Sequence, residues 1–313
     1  MKVCLAGEGA QGLTHIQALG SIEGVDVVTL AGGIAADAEA FAQQWKIPHH
    51  SLNLEECLRQ PGVEAVILTT PNHLHAAQAT LALNMGKHVL VELPMGLSLE
   101  DSRGLADLEE KTGLVCMVCH TQRYSPPHRE IFRRVREREL RLHHIVAQTY
   151  FFRRQNVNRF GKPRTWTDDL LWHIACHTVD FVSYLLNDPG LEAWGQAGPD
   201  HPKLGIPMDL TLGLRSKQGC VVSAVLSFNN HGPIDTSYRF IGEENTFFIQ
   251  RDRLSDYQGN VIPLEGSSFE IQDREFFDAI REGRKPLTSF RACLPTMELL
   301  DRIQKSIDSK KKG

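Results

Sequence analysis

The sequence has no run of about 18 consecutive apolar residues, the length that a helix needs to cross a lipid bilayer, so we expect no membrane span. Neither sign of charge dominates, because 34 lysines and arginines stand against 38 aspartates and glutamates. A chain without a basic excess has no field that would draw in nucleic acid. The seven cysteines are too scattered for a disulfide framework, which favours a reducing, cytoplasmic setting. The chain of 313 residues has the composition of a globular protein and is long enough for two domains.

The first 120 residues alternate short apolar runs with segments of helical periodicity. Such alternation is typical of a parallel sheet that is buried on both faces and doubly wound by helices. We therefore expect residues 1–122 to form a Rossmann-type α/β domain. The predicted strands are Val3–Ala6, Val27–Leu30, Ala65–Thr69, Val89–Val91 and Val115–Val118, and the predicted helices include Ala38–Trp45, Leu54–Gln60, His75–Met85 and Leu99–Thr112.

The pattern changes after Pro126 and Pro127. Several β-rich runs follow one another with short turns, which favours an antiparallel sheet. We expect residues 123–313 to form a second, α+β domain with a mostly antiparallel open sheet, whose uncovered face would pack against a second copy in a homodimer. The predicted strands are Ile145–Phe152, Thr211–Leu214, Val221–Phe228, Tyr238–Ile241 and Thr246–Ile249, and the predicted helices are 128–139, Leu170–Leu186, Asp273–Arg281 and Ala292–Ile307.

A glycine-rich segment follows the first predicted strand and opens a predicted helix. It reads GEGAQG from Gly7 to Gly12, which matches the G-x-G-x-x-G pattern of dinucleotide-binding proteins. Gly7 allows a tight turn, Gly9 lets the backbone approach a pyrophosphate, and Gly12 lets the helix pack on the strand. Because a helix N-terminus supplies N–H donors to phosphates, we expect this segment, with Ala10 and Gln11, to bind a dinucleotide.

The end of the second strand carries no acidic residue in the stretch from Leu30 through Gly32 to Ile34. An NAD-selective site usually places Asp or Glu there to bind the 2′-hydroxyl of the adenosine ribose. Its absence permits the 2′-phosphate of NADP, although this stretch has no arginine to hold that phosphate. We therefore expect NADP as the preferred cofactor, with NAD also accepted.

Four segments together resemble the Gfo/Idh/MocA family of NAD(P)-dependent oxidoreductases, in the order that the family has them. They are the glycine-rich start, the run Thr69–His75, the run Val91–Pro94 and the helix with His177 and Asp180. The resemblance implies a two-domain dehydrogenase with His177 and Asp180 among its catalytic residues. It also implies cofactor contacts from Gly32, Thr70, Pro71, Asn72, His75, Glu92 and Leu93.

Two departures separate this chain from the common pattern of the family. The usual Glu-Lys-Pro reads Glu92-Leu93-Pro94, so the lysine that binds and polarises substrate is missing, and the usual first aspartate of the catalytic helix is His173. Both departures, with the runs 113–124, 149–156 and 163–173, resemble a branch of the family that acts in bacterial protocatechuate 4,5-cleavage. That resemblance implies NADP-dependent oxidation of a cyclic hemiacetal bearing two carboxylates to 2-pyrone-4,6-dicarboxylate.

Oxidation of a hemiacetal requires a base for its hydroxyl proton, and a neutral imidazole suits that task near pH 7. His177 and His173 lie four residues apart on a predicted helix and would share one face. We expect His177 to be the base, and His173 to bind substrate or assist. Without the lysine, Leu93 would present an apolar wall, and Pro94 is a candidate for a cis peptide bond.

A substrate with two carboxylates calls for guanidinium groups, which bind carboxylates through two parallel hydrogen bonds. We expect about two of four candidate arginines to touch the substrate. Arg153 and Arg154 are adjacent at a strand end, so at most one of them should point toward it. The candidate substrate-binding residues, besides His173, are Arg123, Arg153, Arg154 and Arg164 among the arginines and Tyr124 and Trp166 among the aromatics.

Three alternatives remain open. Cys116 and Cys119 form a C-x-x-C pair, and His173, Cys176 and His177 have helical ligand spacing, which would suit zinc. Residues three apart on a strand point to opposite faces, however, so we expect no metal. The second alternative is that the chain is a sugar or inositol dehydrogenase, which the missing lysine disfavours. A non-catalytic, dinucleotide-sensing regulator is the third, although it would be expected to lack the catalytic residues that are present here.

Overall fold

The computed structural model describes residues 1–158, 161–164 and 166–311, and the chain divides into two compact units. Unit 1 consists of Met1–His120 and Phe269–Leu294, and unit 2 of Thr121–Ser268 and Pro295–Gly313. The first boundary lies two residues before the one expected from the sequence. The larger difference is that Phe269–Leu294, expected in the C-terminal domain, belongs to unit 1.

Unit 1 is built on a six-stranded parallel sheet. Its strands are β1 (Lys2–Ala6), β2 (Asp26–Ala31), β3 (His49–Ser51), β4 (Val63–Leu68), β5 (His88–Val91) and β6 (Cys116–Val118). Their order is β3-β2-β1-β4-β5-β6, which confirms the predicted doubly wound architecture. The edge strand β3 was not predicted, because its three residues, His-His-Ser, include no apolar side chain.

Helices join these strands and lie close to their predicted positions. They are α1 (Ala10–Leu19), α2 (Ala35–Trp45), α3 (Leu54–Leu58), α4 (His75–Asn84) and α5 (Leu99–Thr112), and a 3-10 turn at Asn72–Leu74 precedes α4. Local chemistry sets their ends: Ser98 Oγ accepts the N–H of Asp101 at 3.0 Å where α5 begins. Gly113, with φ of 66°, ends α5 in the left-handed conformation that glycine favours.

Unit 2 contains an eight-stranded sheet. Its strands are β7 (Leu142–Tyr150), β8 (Glu192–Ala197), β9 (Asp209–Arg215), β10 (Val221–Ser227), β11 (Asp235–Gly242), β12 (Thr246–Gln250), β13 (Arg253–Ser255) and β14 (Val261–Ile262). The order is β14-β13-β12-β11-β7-β10-β9-β8, and all neighbours are antiparallel except β7 and β10. The mostly antiparallel sheet is therefore confirmed. Strands β8, β13 and β14 were not predicted, because β8, which reads EAWGQA, has no β-branched residue and contains a glycine, and the other two have only three and two residues.

The helices of unit 2 are α6 (Pro126–Arg136) and α7 (Cys176–Leu186), with a 3-10 turn at Thr121–Arg123 and a π-helical segment at Leu170–Ala175. One face of the sheet is buried, and the ring of Phe181 in α7 packs edge-to-face on Phe240 in β11 at 6.2 Å. The other face is partly exposed, with Trp194 at 46% and Val221 at 43%. The predicted polar loop over 153–168 is described apart from residues 159, 160 and 165.

The C-terminal helices are α8 (Ser268–Glu282) and α9 (Phe290–Lys311), and the boundary between the units falls inside α9 at Pro295. Hydrogen bonds join the segment before Pro295 to unit 1. Val118 donates its N–H to the carbonyl of Thr288 at 2.9 Å, and Thr288 Oγ1 donates to the carbonyl of Val118 at 2.7 Å. Within the part of the chain that the structure describes, no helix is long and apolar enough to cross a membrane.

Candidate active-site residues

The glycine-rich loop between β1 and α1 has the conformation that its glycines predict. Gly7 has φ of 108°, which favours glycine, and a Cβ there would lie 2.6 Å from Thr69 Oγ1. A Cβ on Gly12 would lie 2.0 Å from the carbonyl oxygen of Gly7, so a larger residue would push α1 off the turn. A Cβ on Gly9 would meet nothing within 4 Å. Of the three glycines, Gly9 therefore borders the open space in which a pyrophosphate can approach the backbone.

The N-terminus of α1 is suited to a phosphate group. Gly9 is its N-cap residue, and no side chain caps the first turn. The first N–H groups of a helix lack partners within the helix, and the helix dipole adds partial positive charge there. The residues present thus fit the pyrophosphate of a dinucleotide. Ala10 is half-buried, and the exposed Gln11 donates through Nε2 to Glu92 Oε1 at 3.1 Å.

Glu8, which was not among the predicted site residues, places its carboxylate at the end of β2. The N–H of Gly33 donates to Oε1 at 3.0 Å and to Oε2 at 2.9 Å, and the N–H of Ile34 donates to Oε1 at 3.0 Å. The expectation of NADP assumed that no carboxylate lies at this edge. That premise is wrong, because the acid comes from the glycine-rich loop rather than from the strand.

Other residues predicted to bind the cofactor lie at the ends of β2 and β4. Gly32 follows β2, and a Cβ there would lie 2.3 Å from the Cβ of Ala38, so glycine is required for close packing of α2. Thr70 and Pro71 are half-buried after β4, and Asn72 is buried in the 3-10 turn. These residues share one edge of the parallel sheet with the glycine-rich loop, which is where dinucleotides bind in such folds.

His75 is held by the protein itself. Its Nδ1 lies 2.8 Å from the carbonyl oxygen of Pro94, and its Nε2 lies 2.8 Å from that of Thr70. Burial lowers the pKa of His75. Both ring nitrogens thus face backbone carbonyls and tie α4 to two loops, and a contact of His75 with the cofactor stays a prediction.

The Glu92-Leu93-Pro94 motif forms a buried turn with a cis peptide bond before Pro94, as anticipated from the sequence. Leu93 is 4% exposed. The N–H of Leu93 donates to Glu92 Oε2 at 3.1 Å. An apolar side chain therefore occupies the position where the family usually has a lysine.

Three side chains, His15, Glu92 and Asp273, form a buried group that we call the unit 1 cluster. His15 Nδ1 lies 2.8 Å from Asp273 Oδ2, and His15 Nε2 lies 3.1 Å from Glu92 Oε1. Burial alone would lower the pKa of His15, but the charge and hydrogen bond of Asp273 outweigh it and hold the pKa well above its usual value. Since α1 carries His15, this cluster ties the glycine-rich helix to the Glu92 motif and to α8.

In unit 2, the structure pairs Arg123 with Asp180. Arg123 donates through Nε to Oδ2 at 2.8 Å and through Nη2 to Oδ1 at 2.6 Å. Thr296 Oγ1 also donates to Asp180 Oδ1, at 2.8 Å. Both members of the pair are buried, and Arg123 stacks on the ring of Tyr184. Arg123 was expected to bind substrate and Asp180 to act in catalysis; the geometry instead gives both to an ion pair that anchors α7.

A second charged group surrounds Asp168, and we call Asp168, Arg153, Arg164 and His173 the unit 2 cluster. Arg164 Nη1 donates to Asp168 Oδ2 at 2.5 Å, and Arg153 Nη1 donates to the carbonyl of Asp168 at 3.2 Å. Arg153 Nη2 and His173 Nε2 each lie 3.6 Å from Asp168 Oδ2. One buried carboxylate, absent from the predictions, therefore brings together three residues that were predicted to bind substrate.

The unit 2 cluster has more positive than negative charge. Burial alone would raise the pKa of Asp168, but the charges of His173 and the two arginines outweigh it and lower the pKa. Two guanidinium groups against one carboxylate leave a net charge of about +1 before any protonation of His173. Nε and Nη2 of Arg164 are buried and have no hydrogen-bond partner among the described residues. These donors are suited to an external anion.

The other candidate residues of this region differ in burial. Arg154 is exposed, and its Nη1 donates to the carbonyl oxygens of Arg153 at 2.8 Å and Phe228 at 3.2 Å. Trp166 is half-buried, with the Arg164 guanidinium 5.5 Å from its ring centroid. Tyr124 is 3% exposed and is part of the core.

His173 and His177 lie on a helix that changes its winding between them. Asp169 caps the π-helical start by accepting the N–H of Trp172 at 2.6 Å, and regular α-helix begins at Cys176. His173 thus lies in the π segment and half-buried His177 in the α segment, so the predicted uniform α-helix is wrong. π segments are frequent at functional sites, because they displace side chains from α-helical spacing. Burial, followed by the charge of His177, lowers the pKa of the neighbouring His128 to about 3.

The cysteine pair considered for zinc lies in and after β6. All seven cysteines are buried, and none of them forms a disulfide bond. Burial raises the pKa of both Cys116 and Cys119, which disfavours the thiolate that zinc requires. Cys119 Sγ, His15 Nε2 and Glu92 do lie within 4.8 Å of one another, but both His15 nitrogens already face carboxylates.

Family models match both halves of the chain. Residues 1–120 match the Gfo/Idh/MocA model, described as an oxidoreductase family with an NAD-binding Rossmann fold, and residues 126–268 match bacterial oxidoreductases, C-terminal. A relative in Sphingobium sp. strain NBRC 103272 / SYK-6, 4-carboxy-2-hydroxymuconate-6-semialdehyde dehydrogenase, is 40% identical over 98% of this chain and 99% of its own length. The chain therefore belongs to the Gfo/Idh/MocA oxidoreductases and is an NAD(P)-dependent dehydrogenase. This confirms both the family and the narrower resemblance.

More distant matches share the fold. The scyllo-inositol 2-dehydrogenase (NAD(+)) of Bacillus subtilis strain 168 is 24% identical over 92% of this chain and 89% of its own length. Levoglucosan dehydrogenase, solved in complex with NADH and L-sorbose, superposes with a TM-score of 0.86 at 21% identity, covering 99% of this chain and 97% of that one. An Agrobacterium radiobacter oxidoreductase, solved with NAD+, L-tartaric acid and magnesium, gives 0.85 at 16% identity over 99% and 97% of the two chains.

Proposed function

We propose that this dehydrogenase oxidises the cyclic hemiacetal of 4-carboxy-2-hydroxymuconate-6-semialdehyde to 2-pyrone-4,6-dicarboxylate. The observation that carries the proposal is the unit 2 cluster, where two arginines and one histidine surround a single carboxylate. A substrate with two carboxylates supplies the negative charge that the cluster lacks. The name of the Sphingobium relative, 40% identical over nearly the whole length, supports the same substrate.

The chemistry converts the hemiacetal carbon into a lactone carbonyl. The carbon gives up its hydrogen as hydride, its hydroxyl gives up a proton, and a C=O bond replaces the C–O single bond. When bound, the nicotinamide supplies the hydride acceptor. The residues of this chain do the rest: the glycine-rich loop and the N-terminus of α1 bind the dinucleotide, and the unit 2 cluster orients the carboxylates.

We assign His177 as the base that takes the hydroxyl proton. A hemiacetal hydroxyl is more acidic than an ordinary alcohol, so an imidazole is strong enough without a neighbouring lysine. His177 is half-buried at the second position of α7, two residues beyond the π segment. The ion pair between Arg123 and Asp180 lies one turn further along α7 and holds that helix in place. Asp180 therefore acts as a positioning residue.

A sugar or inositol dehydrogenase is the competing function, supported by the Bacillus relative. The buried Leu93 disfavours it, because an uncharged polyol would lose the lysine that polarises its hydroxyl. The arginines of the unit 2 cluster would also meet no counter-charge on a polyol.

The test is a substrate panel with the purified protein. NAD+ and NADP+ are supplied separately with the ring-cleavage product of protocatechuate, myo-inositol or levoglucosan. We expect the ring-cleavage product to give reduced dinucleotide and the absorbance of the pyrone, and we expect myo-inositol and levoglucosan to give neither. Turnover of a polyol, with none of the semialdehyde, would contradict the proposal.

A substitution tests the base directly. His177→Asn should lower kcat by about 10²- to 10⁴-fold, the usual contribution of a positioned base, and leave dinucleotide affinity unchanged. The matched control is His143→Asn, which changes an exposed histidine at the far end of β7 and should leave kcat unchanged. Equal kcat for the two variants would remove His177 from the mechanism.

We also propose a homodimer formed through the partly exposed face of the unit 2 sheet. Trp194 lies flat on this face, since a Cβ on Gly213 would come within 2.6 Å of its ring, and it remains 46% exposed. A large exposed aromatic side chain on an open sheet is typical of a subunit interface. Light scattering should give the mass of two chains for the wild type and of one chain for Trp194→Asp. A monomeric wild type at micromolar concentration would contradict the dimer.

A further inference from the structure

We propose that Glu8 determines cofactor specificity, and that it does so by excluding the 2′-phosphate of NADP and favouring NAD. This proposal rests on the proposed function, because it requires that the protein use a dinucleotide. It names the residue that selects between NAD and NADP. Its basis is the position of the Glu8 carboxylate on the backbone amides of Gly33 and Ile34, at the end of β2. That is the edge where the adenosine ribose of a dinucleotide lies in a Rossmann fold.

The amides of Gly33 and Ile34 are the donors that a 2′-phosphate would need. They directly precede α2, whose N-cap is Ile34, so they combine N–H groups with the positive end of a helix dipole. In this protein Glu8 already accepts three hydrogen bonds from them, at 2.9 to 3.0 Å. A phosphate would have to displace that carboxylate to reach them.

Charge makes such a displacement unfavourable. Residues 31–38 read AGGIAADA and contain no lysine or arginine, so no cation there offsets a phosphate. Asp37 in the first turn of α2 adds another negative charge. A 2′-phosphate at this edge would therefore meet the carboxylate of Glu8, and residues 31–38 supply no cation to offset its charge. A 2′-hydroxyl carries no charge, and it can donate a hydrogen bond to Glu8.

The Glu8 carboxylate lies directly against the backbone at the end of β2. A Cβ on Gly32 would lie 3.5 Å from Glu8 Oε2 and one on Gly33 would lie 3.7 Å from Glu8 Oε1, which are ordinary van der Waals distances. The acid at this edge therefore approaches from the loop after β1. An acid on β2 itself is not needed.

The experiment measures dinucleotide affinity without turnover. Dissociation constants for NAD+ and NADP+ are determined by isothermal titration calorimetry for the wild type, Glu8→Gln and Glu100→Gln. The glutamine keeps a carbonyl oxygen for the amides of Gly33 and Ile34 and removes only the charge. Glu100, exposed in the first turn of α5, is the matched control.

We expect the wild type to bind NAD+ at least tenfold more tightly than NADP+. Glu8→Gln should narrow that ratio at least tenfold, mainly by tightening NADP+, while Glu100→Gln keeps the wild-type ratio. A wild type that binds NADP+ as tightly as NAD+, or a ratio unchanged in Glu8→Gln, would overturn the assignment.

The outcomes also separate this proposal from the proposed function. Preference for NAD+ that depends on Glu8, without turnover of the semialdehyde, would support the assignment and contradict the substrate. If neither dinucleotide binds, both proposals fail together.

Discussion

The unit 1 cluster and the unit 2 cluster have opposite charge balance. In unit 1, two carboxylates, Asp273 and Glu92, surround one imidazole, that of His15. In unit 2, three basic side chains surround the single carboxylate of Asp168. The unit 1 cluster joins residues that are distant in sequence, whereas the unit 2 cluster lies within residues 153–173, and only the unit 1 cluster is satisfied by its own members.

Burial and hydrogen bonding show the difference. His15 and Asp273 are fully buried, and both ring nitrogens of His15 have partners at 2.8 and 3.1 Å. In unit 2, His173 is 33% exposed, and two nitrogens of Arg164 have no hydrogen-bond partner among the described residues. A cluster that is satisfied internally stabilises the fold, whereas buried donors without a partner are available to a ligand or to an ordered water. The unused donors of Arg164 therefore make the unit 2 cluster the better candidate for a binding site.

The largest expected effect is on stability. Asp273→Asn leaves a buried imidazole without its nearest carboxylate, and breaking a buried ion pair typically costs about 3–5 kcal/mol. Urea denaturation would measure this loss. The control on the same helix is Asp278→Asn, whose partner Arg281 is exposed and whose loss should cost less than about 1 kcal/mol. Equal losses in the two variants would contradict the structural role of the unit 1 cluster.

The next effect is on substrate affinity, with a smaller loss of stability than in Asp273→Asn, because Asp168 keeps Arg153 and His173 as basic neighbours when Arg164 is replaced. Arg164→Met removes charged donors that are worth about 1.5–3 kcal/mol, which predicts a fall in kcat/KM of roughly 10- to 150-fold. The exposed Arg154→Met should change kcat/KM by less than about twofold. Steady-state kinetics with the semialdehyde decide the matter. If Arg164→Met lost stability but kept its kcat/KM, the unit 2 cluster would have a structural role like that of the unit 1 cluster, and the prediction would be wrong.

The smallest effect is a pH dependence of stability. The pKa of His15 is raised in the folded state above its ordinary value of 6.5, so the protonated ring stabilises the fold. That contribution is fully present below about pH 6.5 and is lost as pH rises through the folded pKa. The difference in unfolding free energy between wild type and His15→Gln should therefore be largest at acid pH and shrink toward alkaline pH. A difference that grows with pH would contradict a protonated His15.

Local patterns could be predicted from the sequence, and contacts between distant residues could not. The roles of Gly7 and Gly12 follow from neighbouring residues, and the structure has them as expected. The role of Asp168 could not be recognised from the sequence, because it is one acid in a polar loop. Its role depends on the fold, which places the side chains of Arg153 and His173 beside it. His15 and Asp273 are 258 residues apart, so nothing in either segment points to the other.

Glu8 is a different kind of omission. It lies within the glycine-rich motif, whereas the acid that binds the ribose 2′-hydroxyl usually lies at the end of β2 itself. A carboxylate in a variable position of the loop can reach the amides after β2, since β1 and β2 are neighbours in the sheet. Strand adjacency could have suggested this residue. The ion pair of Arg123 and Asp180 was also not predicted, because each of these side chains, taken alone, is typical of a catalytic or binding group.

The most direct test of the account is whether the unit 2 cluster takes a dianion. The measurement is the affinity of the wild-type protein, in the presence of oxidised dinucleotide, for 2-pyrone-4,6-dicarboxylate and for a pyrone with only one of the two carboxylates. We predict that the dicarboxylate binds at least tenfold more tightly and that added salt narrows the difference. Equal affinity for the two compounds would contradict the claim that the cluster is completed by a dicarboxylate.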